Sequence, residues 1–204
     1  MKRSLAVVLL VLACVVGAVC IVNAETVIPL DPNKATTVGA GQWVAKEGDN
    51  GIEVVQELAL GGDMRFFYDD IALPENFSFE AELGCISGNN PAQRPYFGLY
   101  INASGDDFLV FRFRPSSQRW EIARAVSASS SEILMTYEDP NPWAWDLQEW
   151  RTMRFERIGN KLNTYVNGEL MMSYDYDGTL NGGTVGFFAY STAAVYRKAK
   201  LVAY

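Results

Sequence analysis

The chain has 204 residues, with 17 Lys and Arg against 24 Asp and Glu and no histidine. Without histidine there is no Ser-His-Asp triad, no Cys-His dyad and no imidazole-bound metal. Any catalysis would fall to carboxylates, Lys, Tyr or Ser-Lys chemistry, or to an oxygen-ligated metal. An acidic chain repels phosphate backbones, so nucleic acid is not an expected partner.

At the start, Lys2 and Arg3 precede an apolar run from Leu5 to Val22, and Val22-Asn23-Ala24 puts small side chains where a signal peptidase reads. The pattern predicts a signal peptide at 1–24 and a single domain over 25–204, secreted, periplasmic or on the cell surface. The run is about 18 residues, the lower limit for crossing a bilayer, so the alternative is a retained anchor. Only then is the membrane a partner. Cys20 as a lipidated residue fits poorly, because Val19 stands where a small residue is expected. Cleavage after Ala24 leaves 15 basic and 24 acidic residues, a formal charge of −9, and Cys85 as the sole cysteine. Such a domain has no internal disulfide and must be held by core burial.

Beyond that segment the chain reads as strands and turns. Phe77 to Leu83 alternates apolar and polar, the mark of a half-buried strand. Tyr96–Ile101 and Phe108–Arg114 are aromatic and β-branched runs separated by the turn-forming Asn102 to Asp107. Trp120–Arg124 and Glu132–Tyr137 follow as further strands. Asp139 to Asp146 resists the pattern, since Pro140 and Pro142 disfavour a central strand while Trp143 and Trp145 are unusually apolar for a loop. Trp150–Arg157 and Lys161–Val166 pair about Gly159-Asn160. Asn167-Gly168 is a strong hairpin signal before Leu170–Tyr174. Gly183–Tyr190 and Val195–Tyr204 close the chain. Short strands at this spacing predict an all-β fold, a sandwich or barrel.

From Trp43 to Tyr204 the sequence resembles the concanavalin A-like lectin/glucanase superfamily, and within it laminin-G-like and 3-keto-disaccharide hydrolase-like domains. The residues that carry the likeness are Phe77 to Glu82, Phe97-Gly98-Leu99-Tyr100, Phe108 to Phe111 with Trp120, and the ending Trp150, Arg154, Gly159 to Leu162, Tyr165 to Leu170 and Gly182 to Phe187. The resemblance implies a two-sheet antiparallel jelly-roll sandwich of about six strands per sheet, one of them concave, with a groove that often receives saccharides. These positions are mostly turns and core, so they speak to fold more than to function.

Three constellations could carry chemistry. Glu80 and Glu82 share a strand face about 6.5–7 Å apart, a separation near that of paired glycosidase carboxylates. The Glu-x-Asp-x-x-Glu string of the family-16 glucanases is missing, and a solvent-facing strand opposite Phe79, Ala81 and Leu83 accounts for both residues. Alternation puts Tyr96, Tyr100, Arg112 and Arg114 on the face opposite Phe97, Leu99, Phe111 and Phe113. Rings there could stack on sugars while guanidinium forks hold hydroxyls or carboxylates. A cross-strand ladder that only stabilises the sheet would use the same residues. Trp143 and Trp145 offer a stacking platform or a cap on the sandwich; Trp43, Trp120 and Trp150 read as core. Asp69-Asp70, Asp106-Asp107 and the Asp175 and Asp177 turn could hold calcium, the one cofactor the sequence allows for, although solvated turns explain them better.

The residues favour binding over catalysis: an exported, non-catalytic carbohydrate-binding module whose partner is a saccharide or glycan. Two alternatives stay open. One is a glycan-processing hydrolase of the 3-keto-disaccharide hydrolase type using Glu80, Glu82 or a metal-bearing acidic loop. The other is a laminin-G-like adhesion domain that binds an envelope or extracellular protein. The first consequence is checked by N-terminal sequencing of the exported protein. The expected first residue is Glu25, and a membrane-bound product still starting at Met1 would establish the anchor instead.

Overall fold

The computed structural model describes residues 25–57, 62–87, 96–104, 107–127, 130–140, 149–176 and 183–204. Residues 1–24, Asp106, Trp143, Trp145 and Asp177 lie outside the described residues. The strands are β1 Thr26–Ile28, β2 Ala35–Val38, β3 Trp43–Gly48, β4 Gly51–Gln56, β5 Asp63–Tyr68, β6 Phe77–Ser87, β7 Tyr96–Ser104 and β8 Asp107–Arg114, followed by β9 Arg119–Ser127, β10 Ser130–Glu138, β11 Arg151–Ile158, β12 Lys161–Val166, β13 Glu169–Asp175, β14 Val185–Tyr190 and β15 Ala193–Ala203. Among the described residues no helix is long and apolar enough to cross a membrane.

Antiparallel pairing joins the strands into two sheets. The first runs β13-β12-β11-β6-β15-β4-β3, with β1 added beside β15, and the second runs β10-β9-β8-β7-β14-β5-β2. The fold is the expected two-sheet jelly-roll sandwich, with eight and seven strands rather than about six each. The additional strands lie in the N-terminal part. There the period-two pattern is hidden for opposite reasons. β1 and β3 are mostly exposed and carry little apolar signal, whereas β5 buries Arg65 on one face as well as Met64, Phe66 and Tyr68 on the other.

Within the core the alternation is strict. β11 buries Arg151, Met153, Phe155 and Arg157 and leaves the residues between them partly exposed. The inward row of the second sheet runs Phe66, Phe187, Leu99, Phe111 and Ile122 in register across five strands. Phe187 ties this row to the opposite sheet. Its ring stacks on Tyr196 of β15 at 4.3 Å between centroids, and lies 5.8 Å from Phe79 of β6 and 5.9 Å from Phe66. The Tyr196 hydroxyl, fully buried, donates to the Phe188 carbonyl at 2.7 Å. Burial holds that phenol well above its ordinary range, so it remains a neutral donor.

Turn chemistry fixes the hairpins. Asn167 and Gly168 both take positive φ, 51° and 85°, as the tight connection of β12 to β13 requires. The Asn167 side chain also accepts from the Thr152 amide at 3.0 Å, anchoring the turn to β11.

Two of the tryptophans depart from expectation. Trp150 precedes its strand and sits on the outer face of the first sheet, over Gly84, with the Arg197 guanidinium 3.6 Å from its ring centre. It is not core. An outward position suits it because Gly84 leaves a flat floor and the cation covers the other ring face. Trp43 is half-buried, packed 5.7 Å from Phe66 and 5.9 Å from Tyr196. Trp120 is fully buried as expected, and its indole N–H donates to Asp139 at 2.8 Å.

Because Phe187 joins both layers, Phe187→Ala is expected to cost about 3–5 kcal/mol. For a domain of this size that lowers the thermal midpoint by roughly 6–20 °C. Calorimetry or urea unfolding of the variant reads this out, and a change under about 1 kcal/mol would show that the sheets do not depend on this ring.

Candidate functional site

The outward face of the second sheet carries the site. Register alone sets its rows. Arg65, Phe188, Gly98, Arg112 and Glu121 lie side by side across β5, β14, β7, β8 and β9. The adjacent row is Phe67, Gly186, Tyr100, Val110 and Ala123. Tyr190 and Tyr96 pair at the other side. The four residues expected to share a face, Tyr96, Tyr100, Arg112 and Arg114, therefore do share one.

Outward does not mean open. Tyr100 is 1% exposed, Arg112 6% and Glu121 0%. Tyr100, Phe108, Val110, Ala123, Ala125 and Phe188 form a second apolar cluster, separate from the main core, with Phe67, Tyr96 and Tyr190 packed against it. Around that cluster solvent reaches Tyr96, Tyr190, Phe67, Arg114 and Arg119 among others. Tyr100 and Arg112 thus support the surface rather than form it.

Two glycines set the floor of the face. A Cβ on Gly98 would stand 2.0 Å from the Phe111 carbonyl oxygen, and one on Gly186 would stand 1.9 Å from that of Phe66. Any other residue at either place would push neighbouring strands apart. Bare backbone at these two points separates the aromatic side chains on either side.

Beside the apolar cluster lies a charged one centred on Glu121. Arg112 Nε donates to Glu121 Oε2 at 2.9 Å, and its Nη2 forms an ion pair with the same oxygen at 2.9 Å. Arg119 Nη2 donates to Oε1 at 3.3 Å, and Arg119 Nε reaches the Ser117 hydroxyl at 3.1 Å. Arg114 Nη1 is 3.8 Å from Oε1. A carboxylate with no exposure requires such partners, since removing one side of a buried ion pair costs about 3–5 kcal/mol. The same guanidiniums hold Tyr96: Arg112 lies 4.3 Å and Arg114 5.3 Å from its ring centre. Tyr190 meets that ring edge-on at 5.8 Å. At the far end Arg65 covers Phe108 at 4.7 Å and Tyr100 at 5.9 Å.

Glu121, Arg119, Tyr190, Phe188 and Arg65 escaped the sequence reading. A signal existed for the first two. The β8–β9 turn at Pro115 to Gln118, with Gln118 left-handed at φ 51°, places Arg114 opposite Arg119 and Arg112 opposite Glu121. Counting outward from that turn would have paired them. Tyr190 and Arg65 come from distant strands, and no local pattern brings them in.

Glu80 and Glu82 stand on the outward face of the other sheet, so the sandwich lies between them and the tyrosine–arginine set. Glu82 Oε2 accepts from Arg197 Nε and Oε1 from Lys198 Nζ, each at 2.8 Å. A β-bulge between Arg197 and Lys200, with Lys198 at φ 52°, lets two consecutive cations reach one carboxylate. Partial burial alone would raise this carboxyl, but the hydrogen bonds and charges of Lys198 and Arg197 outweigh it and hold the group below its ordinary value of 4.5. A carboxyl held ionised suits an ion pair and not a general acid.

The described acidic side chains of these turns have partners of their own. Asp69 accepts from the Thr36 hydroxyl, Asp70 pairs with Lys34 at 3.2 Å, and the exposed Asp175 pairs with Lys161 at 3.5 Å. Among the described residues no group of three His, Cys, Asp or Glu side chains converges to hold a metal ion.

The comparisons bear on the fold. No family model matches the sequence and no curated protein matches it. Solved structures do. The carbohydrate-binding module CBM66 from Bacillus subtilis superposes with a TM-score of 0.66 at 16% identity, over 86% of this chain and 100% of that one. A Bacteroides ovatus mixed-linkage glucan GH16 protein, in complex with a product, gives 0.58 at 11% identity over 85% and 95%. The Emp46p carbohydrate recognition domain, in its potassium-bound form, gives 0.60 at 10% identity over 83% and 88%. The fold is the two-sheet jelly-roll sandwich that these structures share. Identities this low show architecture alone, and that architecture serves both binding and hydrolytic proteins.

The Glu82 pair sets an expectation for acid stability. A carboxyl depressed in the folded state contributes stability that is fully present above its unfolded value and is lost as pH falls through the folded one. The wild-type thermal midpoint should therefore drop on going from pH 7 to about pH 3, and Glu82→Gln should show a smaller drop. Equal acid sensitivity in both proteins would show that the ion pair is not linked to folding.

Proposed function

We propose that this protein is an exported, non-catalytic saccharide-binding module that takes its ligand on the outward face of the second sheet. The observation that carries the reading is the Tyr96–Tyr190 pair, partly exposed, held edge-to-face, with the guanidiniums of Arg112 and Arg114 over the Tyr96 ring. Aromatic rings present large apolar faces at little entropic cost, and sugars offer matching C–H faces for stacking. Neighbouring guanidiniums supply forked donors for the hydroxyls around the ring. A strand scaffold keeps these groups in place before the ligand arrives, which limits the entropy lost on binding. The fold shared with a carbohydrate-binding module and a carbohydrate recognition domain supports the same reading.

Glycan processing would need a carboxyl able to give up a proton near a groove. Of the two candidates, Glu80 and Glu82, both on the opposite sheet, Glu82 has each oxygen committed to a cation. This weighs toward binding.

Titration calorimetry with a panel of soluble oligosaccharides tests the proposal. Saturable binding is expected, weakened about tenfold in Tyr96→Ala, the equivalent of about 1.4 kcal/mol of stacking. Binding that is unchanged in Tyr96→Ala and Tyr190→Ala would move the site elsewhere. A uniformly flat panel would favour a protein partner.

A further inference from the structure

Donors and acceptors around Glu121 do not balance. A carboxylate offers roughly four acceptor sites, whereas three guanidiniums bring about five donors each. Arg112 is committed to Glu121, lying 6% exposed with one hydrogen bond and one ion-pair contact to the same oxygen. Arg119 divides itself between Glu121 and Ser117. Arg114 is left over. Its nearest approach to the carboxylate, 3.8 Å, is beyond hydrogen-bond reach, and its buried Nε has no hydrogen-bond partner. The group is held by charge and by the Tyr96 ring, with its donors unspent, and its side chain remains 19% exposed.

The charge is as uneven as the hydrogen bonding. Around Glu121 the described side chains of this face set Arg112, Arg114 and Arg119 against Glu121 and the exposed Glu138, which lies opposite Arg119 in register. This occurs in a chain whose formal charge is −7. A neutral sugar would satisfy donors with its hydroxyls but leave the excess positive charge beside an apolar cluster, where unbalanced charge is costly. A carboxylate does both, and its planar pair of oxygens matches the guanidinium fork.

We propose that the face binds an acidic saccharide, the carboxylate of a uronic acid residue seating on Arg114 and Arg119 while its sugar ring stacks on the Tyr96–Tyr190 pair. This rests on the saccharide-binding reading and narrows it to one ligand class. Glu121 is then a positioning residue. It anchors the arginines from below without exhausting them, so that the carboxylate of the ligand completes the set.

The test is titration calorimetry of the protein with trigalacturonate, with its fully methyl-esterified form and with a neutral oligosaccharide panel. Trigalacturonate is expected to bind at least about tenfold more tightly than its ester, as one charged hydrogen-bonded contact warrants. That preference should shrink as sodium chloride rises from about 50 mM to about 300 mM. It should vanish in Arg114→Gln and be partly kept in Arg114→Lys, with circular dichroism and thermal midpoint confirming that both variants fold. Should Arg114→Gln fail that control, Arg119→Gln serves in its place. Ester bound as tightly as acid, a preference that survives in the glutamine variant, or a sulfated oligosaccharide bound in place of the uronate would overturn the proposal and leave saccharide binding standing. No binding to any saccharide would overturn both.

Discussion

A strand turns each successive side chain to the opposite face, and everything in this molecule depends on five strands keeping that alternation in step. The row Phe66, Phe187, Leu99, Phe111 and Ile122 faces inward as one unit. The row one residue along, Arg65, Phe188, Gly98, Arg112 and Glu121, faces outward for the same reason. A slip of one residue in any strand would drive a guanidinium or a carboxylate into the core and expose an aromatic ring. Core burial and site assembly are thus a single constraint. The interior selects the register, and the register sets out the surface.

On that surface the organising element is a buried charge. Glu121 has no exposure and survives there only because arginines from β8 and β9 surround it. Their guanidiniums then lie over Tyr96, so a requirement of electrostatics becomes a placement of an aromatic ring. The two glycines beneath complete the arrangement by letting strands approach where a methyl group would collide with a carbonyl. A surface made this way is held by contacts among its own side chains, which is the preorganisation that the proposed binding would draw on.

On both outward faces cations share acids. Over the first sheet, Glu82 takes Arg197 and Lys198, Glu156 accepts from Asn163 and Tyr165, and Arg154 lies 3.8 Å over the Tyr165 ring with its buried Nε lacking a hydrogen-bond partner. Over the second, Arg112, Arg114 and Arg119 share the buried carboxylate of Glu121 beside an aromatic cluster. A jelly-roll sandwich is compatible with many functions, so that juxtaposition, rather than the architecture, is what sets the second face apart.

By itself the sequence determined the local facts. Alternation in Phe77–Leu83, Phe108–Arg114 and Trp150–Arg157, and the turn at Asn167-Gly168, are properties of a few adjacent residues, and each is present in the fold with shifts of a residue or a few at the strand ends. Alternation also placed Tyr96, Tyr100, Arg112 and Arg114 on one face. It did not reach β1 to β5, where exposure or burial on both faces erases the period. Only the tertiary structure decided what those face positions mean. Burial is a sum over neighbours from distant strands, so nothing in the β7 or β8 sequence distinguishes the covered Tyr100 and Arg112 from the accessible Tyr96 and Arg114. The same holds for Trp150, whose place outside the core depends on Gly84 and Arg197 far away in the chain, and for Glu80 and Glu82, whose separation from the tyrosines by the full thickness of the sandwich follows from which strands share a sheet. Period-two patterns fix the side of a strand on which a residue stands; what lies over that side is set by contacts between residues remote in sequence.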